Sequence, residues 1–271
     1  MTASVIFSTY NSEVWLEKVI LGFSVQTIKD FEIIIADDGS RKATKDLIDR
    51  LKTEIKIPII HVWQEDNGFQ KSQILNKAIL AANSDYLIFT DGDCIPRKDF
   101  VEVHFNYREE GYFLSGGYFK LPMDISKAIT KEDIVAQNCF NLNWLKSQGL
   151  KSSGKNIKFL TTGLSAKILN FITPTNASWN GHNSSGWKKD LVEINGFNQE
   201  MQYGGQDREL GERLFNKGLK SKQIRYSAIC VHLDHKRGYV NKETWKKNHE
   251  IRANTRKNKV IKTPVGIDAN K

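Results

Sequence analysis

The sequence is poor in cysteine and has no long apolar run, and both absences exclude whole classes of protein. Among its 271 residues, Cys94, Cys139 and Cys230 are far apart and form no CxxC pair. Such a set argues against a disulfide scaffold and a structural zinc site, and it fits a reducing compartment. No run approaches the roughly 20 apolar residues of a membrane-spanning helix, and the N-terminus lacks the basic start of a secretory signal. We therefore expect a globular, cytoplasmic protein.

Acidic residues are the minority, since 31 Asp and Glu stand against 40 Lys and Arg and the formal charge is +9. Most of the excess lies in residues 236–262, which contain ten Lys and Arg but only two acids, a local charge of +8. An anionic partner is therefore expected. The sequence has no recognisable nucleic-acid-binding motif, so nucleic acid is not that partner. Three interpretations of residues 236–262 stay open: peripheral contact with the anionic inner face of a membrane, contact with a phosphorylated acceptor, or a solvated helix.

Short apolar runs alternate with helical patterns over the first hundred residues. The candidate strands there are Ser4–Ser8, Phe31–Ala36, Pro58–Trp63 and Tyr86–Thr90. Further along, the patterns predict strands over Tyr112–Phe119 and Ser227–His232 and helices over Glu132–Ser147, Ile157–Phe171, Asp190–Asn195 and Asp207–Asn216. This alternation predicts an α/β fold whose mostly parallel central sheet is covered by helices on both faces.

Polar side chains follow three of the predicted strands. Tyr10 comes after the first, Asp37-Asp38 after the second, and Asp91-Gly92-Asp93 after the fourth. Ligands of parallel α/β sheets bind outside the carboxyl ends of the strands, so these groups are expected to meet at one edge.

The Asp91-Gly92-Asp93 segment has two interpretations. Two carboxylates around a glycine can hold one hard divalent cation, which would neutralise a diphosphate leaving group, whereas Asp-Gly turns are also common without a ligand. Its position after a buried strand, beside a second acidic pair, favours the cation. Asp38 is similarly open, because it could cap the next helix or accept a hydrogen bond from a pyrimidine base on which Tyr10 stacks.

Four ordered blocks resemble the family 2 glycosyltransferases, which have the Rossmann-like GT-A fold. They are Ser4–Asn11 (SVIFSTYN), Ala36–Ser40 (ADDGS), Asp66–Asn76 (DNGFQKSQILN) and Asp91–Asp93. Asn195-Gly196-Phe197 and Tyr203-Gly204-Gly205-Gln206-Asp207 resemble the galactosyltransferase-type C-terminal region of such enzymes.

The resemblance implies a domain organisation. Residues 1–240 would form the GT-A domain, with a nucleotide-sugar-binding half over 1–110 and an acceptor and catalytic half over 111–240. Residues 241–271 would add a basic helix and tail.

The resemblance also implies roles for individual residues. The donor-binding residues would be Ser8, Tyr10, Asp38, Gly68, Lys71 and Asp91. Asp93 and His232 would ligate Mn²⁺ or Mg²⁺, and the acceptor would contact Tyr203, Gly204, Gly205 and Gln206. Asp207 would be the general base that takes the proton from the acceptor hydroxyl.

Some assignments leave alternatives open. Asp207 could instead be an ordinary acid in the first turn of a helix. The family usually has glutamate where this chain has Gln206. If that glutamate binds the acceptor or holds the base, a weaker activity or a different acceptor is expected here, and if it is itself the base, activity is lost; Asp207 is retained as the base. His235 could join or replace His232 at the metal, although two residues three apart in an extended segment point to opposite faces. For a sugar platform, Trp187 is favoured over Tyr203 and Trp144 because it lies in Asn180–Trp187 beside the Gly-Gly-Gln-Asp block.

These expectations define an inverting, metal-dependent glycosyltransferase that moves a sugar from a UDP-sugar donor to a glycan or glycolipid acceptor. Galactose or N-acetylgalactosamine is favoured, in the synthesis of bacterial surface polysaccharide or lipopolysaccharide. The alternative is a non-catalytic nucleotide-sugar or glycan-binding protein on the same fold. A nucleotidyltransferase is less favoured, since Thr9-Tyr10-Asn11 does not supply a Gly-rich, basic loop after the first strand.

Overall fold

A computed structural model describes residues 1–235 and 241–270 of the chain. The strands are β1 (Ala3–Thr9), β2 (Phe31–Asp37), β3 (Ile59–Trp63), β4 (Tyr86–Asp91), β5 (Cys94–Pro96), β6 (Tyr112–Ser115), β7 (Gly117–Lys120), β8 (Ser184–Trp187), β9 (Lys220–Gln223) and β10 (Ile229–His232). The α-helices are α1 (Glu13–Ser24), α2 (Lys42–Glu54), α3 (Lys71–Ala81), α4 (Phe100–Tyr107), α5 (Met123–Ala128), α6 (Lys131–Val135), α7 (Leu142–Ser147), α8 (Ile157–Leu160), α9 (Gly163–Ile172), α10 (Lys188–Glu193), α11 (Gln206–Asn216) and α12 (Lys242–Lys257). Short 3₁₀ turns occupy Asn138–Phe140, Gly154–Asn156 and Ile267–Asn270.

The central sheet has the strand order β3-β2-β1-β4-β8-β6-β9. Strands β1, β2, β3 and β4 pair in parallel, whereas β8 runs antiparallel to both of its neighbours, β4 and β6. The predicted α/β architecture with a mostly parallel sheet is confirmed. As the parallel strands end together, their following loops meet at one edge.

Both faces of this sheet are buried, because successive side chains of each central strand point to opposite faces and enter different hydrophobic clusters. In β1, Val5 and Phe7 belong to the cluster that includes α1 and α2, whereas Ile6 belongs to the cluster under α3 and α11. Strand β4 divides in the same way, with Ile88 on one face and Phe89 on the other. Burial on both faces explains why the sequences of these strands are mostly apolar and do not alternate between apolar and polar residues.

A second, three-stranded sheet has the order β5-β10-β7 and brings the end of the chain's second half back to the cleft. The predicted strand over Tyr112–Phe119 is in fact two strands, β6 in the central sheet and β7 in this one. The break lies at Gly116, where a Cβ atom would meet the Asn183 side-chain oxygen at 2.0 Å. In the second sheet His232 of β10 pairs with Cys94 of β5. Because Cys94 directly follows Asp93 in the sequence, this pairing brings His232 close to Asp93.

Two predicted helices are interrupted. The helix expected over Glu132–Ser147 consists of α6, a 3₁₀ turn and α7, because Gln137 adopts a left-handed conformation with φ of 61°. The helix expected over Ile157–Phe171 consists of α8 and α9, since Thr162 and Ser165 form a capping box that starts a new helix.

The C-terminal segment packs onto the rest of the chain. The basic helix expected over 236–262 corresponds to α12, and residues 236–240 lie outside the described residues. The Asn216 side chain of α11 donates to the carbonyl oxygens of Thr255 and Val260, at 3.0 and 2.8 Å. Ile267 is buried in the cluster under α3 and α11. Across the described residues, no helix combines the length and apolar content that a membrane crossing requires.

Candidate active site

A cleft of about 620 Å³ lies at the edge where β1, β2 and β4 end. It brings together most of the residues expected to act in the protein. Those that line it are Ser8, Tyr10, Asp38, Gly68, Lys71, Asp91, Asp93, Tyr203, Gln206, Asp207, His232 and His235. Strand register explains part of this convergence, because Ser8 of β1 pairs with Asp91 of β4.

One end of the cleft is formed by Tyr10 and Asp38. The Tyr10 ring is 51% exposed, and its hydroxyl donates to a carboxylate oxygen of Asp66 at 2.8 Å. Asp38 accepts hydrogen bonds from the Gln64 side chain at 2.7 Å and the Gln70 amide at 2.9 Å. Burial nevertheless raises the pKa of Asp38 to about 6. This end therefore offers an open aromatic face beside an oriented carboxyl group.

The two adjacent aspartates at the end of β2 have different surroundings. Asp37 is buried, pairs with His61 Nε2 at 2.9 Å and accepts from the Ser40 amide at 2.8 Å, so it organises the loop. Only Asp38 lines the cleft. The next residue, Gly39, has a φ of 93° and packs against the Asp66 backbone. Only glycine fits there, since a Cβ atom would lie 2.6 Å from the Asp66 Cα.

Lys71 is the central cation of the cleft. It begins α3 and forms an ion pair with Asp91 at 2.6 Å. Burial would lower the pKa of Lys71, but the nearby Asp91 and Asp207 carboxylates raise it above its ordinary value. Asp91 in turn has a lowered pKa, because the Lys71 charge outweighs the effect of its own burial. At neutral pH the cleft therefore holds a charged lysine–aspartate pair.

Asp207 lies in the first turn of α11, at the wall of the cleft. Burial raises the pKa of its carboxyl to about 6, although Lys71 and the Gly181 amide act in the opposite direction. Its Oδ1 atom is buried and has no hydrogen-bond partner among the described residues. A Cβ atom on Gly181 would lie 2.8 Å from Oδ2, so the backbone approaches this carboxylate closely. The arrangement gives a carboxylate with a proton affinity suited to general-base chemistry.

Asp93 and two histidines form a possible metal-binding group. Its Oδ2 atom lies 2.9 Å from His235 Nε2 and 3.6 Å from His232 Nε2. His232 Nδ1 is buried and has no hydrogen-bond partner in the described part of the chain. Cys94 Sγ is also within reach, but burial raises the pKa of this thiol. Both histidines thus converge on one carboxylate. Because β10 ends at His232, His235 is not subject to the alternation of side chains in a strand.

The turn before Asp207 is held from outside the cleft. Gln206 is buried, and its side-chain oxygen accepts a hydrogen bond from the Gly204 amide at 2.9 Å. Gly204 and Gly205 have φ angles of 112° and 91°, and Cβ atoms there would meet Trp245 at 2.7 Å and Arg252 at 3.0 Å. The two glycines therefore accommodate close packing of α12, and neither lines the cleft.

Trp187 is not at the cleft. It ends β8, pairs in register with Tyr86 at the start of β4, and stacks edge-on against that ring at 5.2 Å. Asp91 is five residues further along β4, or about 16 Å at the usual rise of a strand. Trp187 therefore lies too far from the cleft to be the predicted sugar platform, because antiparallel β8 takes it to the opposite edge of the sheet.

Sequence reasoning missed His182 and Tyr118, which both line the cleft. Their rings lie 4.2 Å apart, and burial lowers the pKa of His182 to about 4, so its imidazole is neutral. His182 belongs to the segment Asn180–Trp187 that was singled out for the acceptor, but it precedes β8. The composition of this segment indicates a binding role, but which of its residues lies at the cleft depends on the direction of β8.

Two protein families match the chain. The family described as Glycosyl transferase family 2 matches residues 4–166, which is more than half of the chain. The family described as N-terminal domain of galactosyltransferase matches residues 171–236. Together the two matches cover every cleft-lining position named above.

Relatives and solved structures agree with these matches. The uncharacterized glycosyltransferase YfnE of Bacillus subtilis (strain 168) is 26% identical, with 87% of this chain and 65% of its own length covered. The chain thus spans slightly less than two thirds of that relative. The structure of S. aureus TarS 1-349 in complex with UDP-GlcNAc has a TM-score of 0.61 at 14% identity, covering 99% of this chain and 69% of that chain. GalNAc-T7 with UDP, GalNAc and Mn²⁺ has a TM-score of 0.62 at 13% identity, covering 93% and 47%.

The structural likenesses confirm the expected GT-A fold, which places the cleft at the carboxyl ends of the parallel strands. The longer family match supplies the classification. With more than half of its length matched, the chain belongs to glycosyl transferase family 2.

Proposed function

We propose that this protein is an inverting, metal-dependent glycosyltransferase that moves a sugar from a UDP-sugar to a hydroxyl group of a glycan acceptor. The observation that carries the proposal is the convergence in one cleft of Tyr10, the Lys71–Asp91 pair, Asp93 and Asp207. These groups supply a stacking face, a cation, metal ligands and a base, which a sugar transfer from a nucleotide requires.

On the donor side, Tyr10 stacks on the uracil ring and Asp38 accepts its N–H hydrogen. The half-exposed Tyr10 ring supports this assignment, as does the unused acceptor capacity of the Asp38 carboxylate. Ser8 and Gly68 approach the nucleotide, and Lys71 faces its phosphates. Lys71 then contacts both Asp91 and the diphosphate, and its ion pair with Asp91 keeps the ammonium group in place.

A divalent cation fits the group formed by Asp93 and His232, because Asp93 Oδ2 and His232 Nε2 lie 3.6 Å apart. The other ring nitrogen of His232, Nδ1, is buried and has no hydrogen-bond partner among the described residues. His235 lies close enough to join them. A mixed set of carboxylate and imidazole ligands favours Mn²⁺ over Mg²⁺, which prefers carboxylates and water. When bound, such an ion neutralises charge on the departing diphosphate.

Asp207 acts as the general base. Its carboxylate lines the cleft, has one oxygen without a partner among the described residues, and takes the proton from the acceptor hydroxyl as the new glycosidic bond forms. A pKa of about 6 leaves it ionised at neutral pH while keeping its proton affinity high. Attack from the face opposite the leaving UDP inverts the anomeric carbon.

The transferred sugar is proposed to be galactose or N-acetylgalactosamine, on the basis of the galactosyltransferase-domain match. The acceptor is a precursor of bacterial surface polysaccharide or lipopolysaccharide, handled in the cytoplasm at the inner face of the membrane. Exposed lysines on α12, among them Lys242, Lys246 and Lys247, support contact of residues 236–262 with anionic lipid.

The test is a panel of UDP-Gal, UDP-GalNAc, UDP-Glc and UDP-GlcNAc, assayed for UDP release with Mn²⁺, with Mg²⁺ and with a chelator. Asp207→Asn should retain thermal stabilisation by UDP and Mn²⁺ but lose turnover by at least about 100-fold. Asp124→Asn is the matched control, since Asp124 is an exposed acid in the first turn of α5. Binding of a UDP-sugar without turnover would favour a non-catalytic protein, and absence of any response would refute the donor assignment.

A further inference from the structure

Helix α9 directs its apolar side away from the protein. Leu164, Ile168, Phe171 and Ile172 are 74%, 50%, 90% and 60% exposed. Their spacing of four, three and one residues places them on one side of the helix. Leu160 of α8, four residues before Leu164, is also 67% exposed. We call these five residues the outward apolar face.

The opposite side of α9 is fixed to the protein by polar contacts. Asn170 is buried, its side-chain nitrogen donates to Ser227 Oγ at 2.8 Å, and its side-chain oxygen accepts from the Tyr226 amide at 2.9 Å. Gln223 also donates to the Asn170 carbonyl oxygen at 2.6 Å. A surface helix usually buries its apolar side, so these contacts hold α9 in the reverse orientation.

The sequence around α9 is uniformly basic. Residues 134–189 contain seven lysines and no aspartate or glutamate. Lys151, Lys155 and Lys167 are exposed, the last of them within α9 itself. An exposed apolar surface of this kind marks an interaction site, and the surrounding charge restricts the partner to one that is anionic.

We propose that the outward apolar face inserts into the interfacial region of an anionic lipid bilayer, with the neighbouring lysines on the headgroups. Amphipathic helices with lysine beside leucine, isoleucine and phenylalanine bind such interfaces through combined apolar burial and charge attraction. A second copy of the chain is a poorer occupant, because pairing would bring two acid-free basic surfaces together. The site is distinct from residues 236–262.

The outward apolar face is connected to the cleft through α8. Lys158 is largely buried, and its Nζ atom donates to the Tyr118 carbonyl oxygen at 2.7 Å, while the Tyr118 ring lines the cleft. Docking through α8 and α9 would therefore hold the Tyr118 side of the cleft near the lipid surface. Acceptors anchored in that surface would reach the cleft without leaving the bilayer.

The test measures co-sedimentation of the full chain with vesicles of phosphatidylcholine alone or mixed with phosphatidylglycerol. Wild-type protein should bind the anionic vesicles, and Leu164→Ser/Phe171→Ser should bind them at least about tenfold more weakly, since two large apolar side chains no longer leave water. Val135→Ser is the matched control, because Val135 is 52% exposed at the end of α6. Thermal unfolding of all variants checks that they are folded.

A second arm reports insertion directly. The native cysteines are all buried, so Phe171→Cys can be labelled with a polarity-sensitive dye and compared with a label at Val135→Cys. Only the label at 171 should shift to the blue on addition of anionic vesicles. Three results would overturn the proposal: unaltered vesicle binding by the double variant, vesicle binding lost only on Lys246→Glu/Lys247→Glu of α12, or a wild-type dimer that the double variant dissociates.

Discussion

The side-chain nitrogen of Asn248 lies 2.9 Å from the carbonyl oxygen of Gly204, and this contact joins α12 to the turn that carries Asp207. The same nitrogen lies 3.1 and 3.2 Å from the carbonyl oxygens of Gln202 and Tyr203. Asn248 is fully buried. One side chain of the C-terminal helix thus holds three successive carbonyl groups, so α12 forms part of the frame of the candidate active site.

Replacing Asn248 by alanine should impair catalysis as well as stability. The substitution leaves buried carbonyl groups without a donor, which we expect to lower the free energy of unfolding by about 2–3 kcal/mol. The freed turn should lower kcat more than it raises the donor KM, because it misplaces Asp207. Urea unfolding and UDP-release kinetics measure the two effects. Asn254→Ala, at an exposed position of the same helix, should change neither, and an unaltered kcat in Asn248→Ala would confine Asn248 to folding.

Lys71 should set the pH dependence of the reaction. Its charge lowers the pKa of Asp207, which burial holds at about 6. In Lys71→Ala this carboxyl loses a nearby cation, so the acidic limb of the kcat/KM profile should move to higher pH, by on the order of one unit. Lys77→Ala on the same helix should leave the limb in place. If the acidic limb stays near pH 6 in Lys71→Ala, the limb does not report the titration of Asp207.

Gln206 performs a structural task that glutamate could also perform. Its side-chain oxygen accepts from the Gly204 amide. A carboxylate at the start of α11 would keep that hydrogen bond and would interact favourably with the positive end of the helix dipole. Gln206→Glu should therefore keep the unfolding free energy within about 1 kcal/mol of wild type, whereas Gln206→Ala should lose about 1–2 kcal/mol. The added charge beside Asp207 should also raise the acidic limb of the pH profile. A Gln206→Glu protein as unstable as Gln206→Ala would contradict this account.

The strand-end residues could be predicted from the sequence because two local signals agree there. Each of β1, β2 and β4 has a mostly apolar sequence, and polar residues that line the cleft lie at or directly after its end. Parallel pairing then brings Ser8 and Asp91 together without any further information.

The second half of the site depends on chain direction and on long-range packing, which local patterns do not carry. Strand β8 has the sequence SSGW, with none of the β-branched residues typical of strands, so local patterns predict neither this strand nor its antiparallel course. That course decides that His182 lies at the cleft and Trp187 at the far edge. The role of Asn248 likewise depends on a contact across 44 residues.

Trp187 should matter for stability and not for the acceptor. It stacks edge-on against Tyr86, and its indole nitrogen donates to the Glu109 carbonyl oxygen at 3.1 Å. Trp187→Ala should lower the free energy of unfolding by about 2–3 kcal/mol and leave the acceptor KM unchanged. Tyr118→Ala is the reciprocal variant, because Tyr118 is 40% exposed and lines the cleft. It should raise the acceptor KM with a stability loss below about 1 kcal/mol, and the reverse pattern would return the sugar platform to Trp187.

Asp207 should reduce stability at neutral pH in the absence of nucleotide and metal. Its pKa in the folded protein is about 6, raised from the ordinary 3.8 by burial, so folding favours the protonated form. The stability that this group contributes is present below pH 4 and is lost as the pH rises through 6. Asp207→Asn removes the titration, so the variant should unfold at a higher temperature than wild type at pH 8, with a gain on the order of 2 kcal/mol that disappears near pH 4. Asp124→Asn should give no such pH-dependent gain, and equal stability of Asp207→Asn and wild type at pH 8 would show that the Asp207 carboxylate is not held in an unfavourable environment.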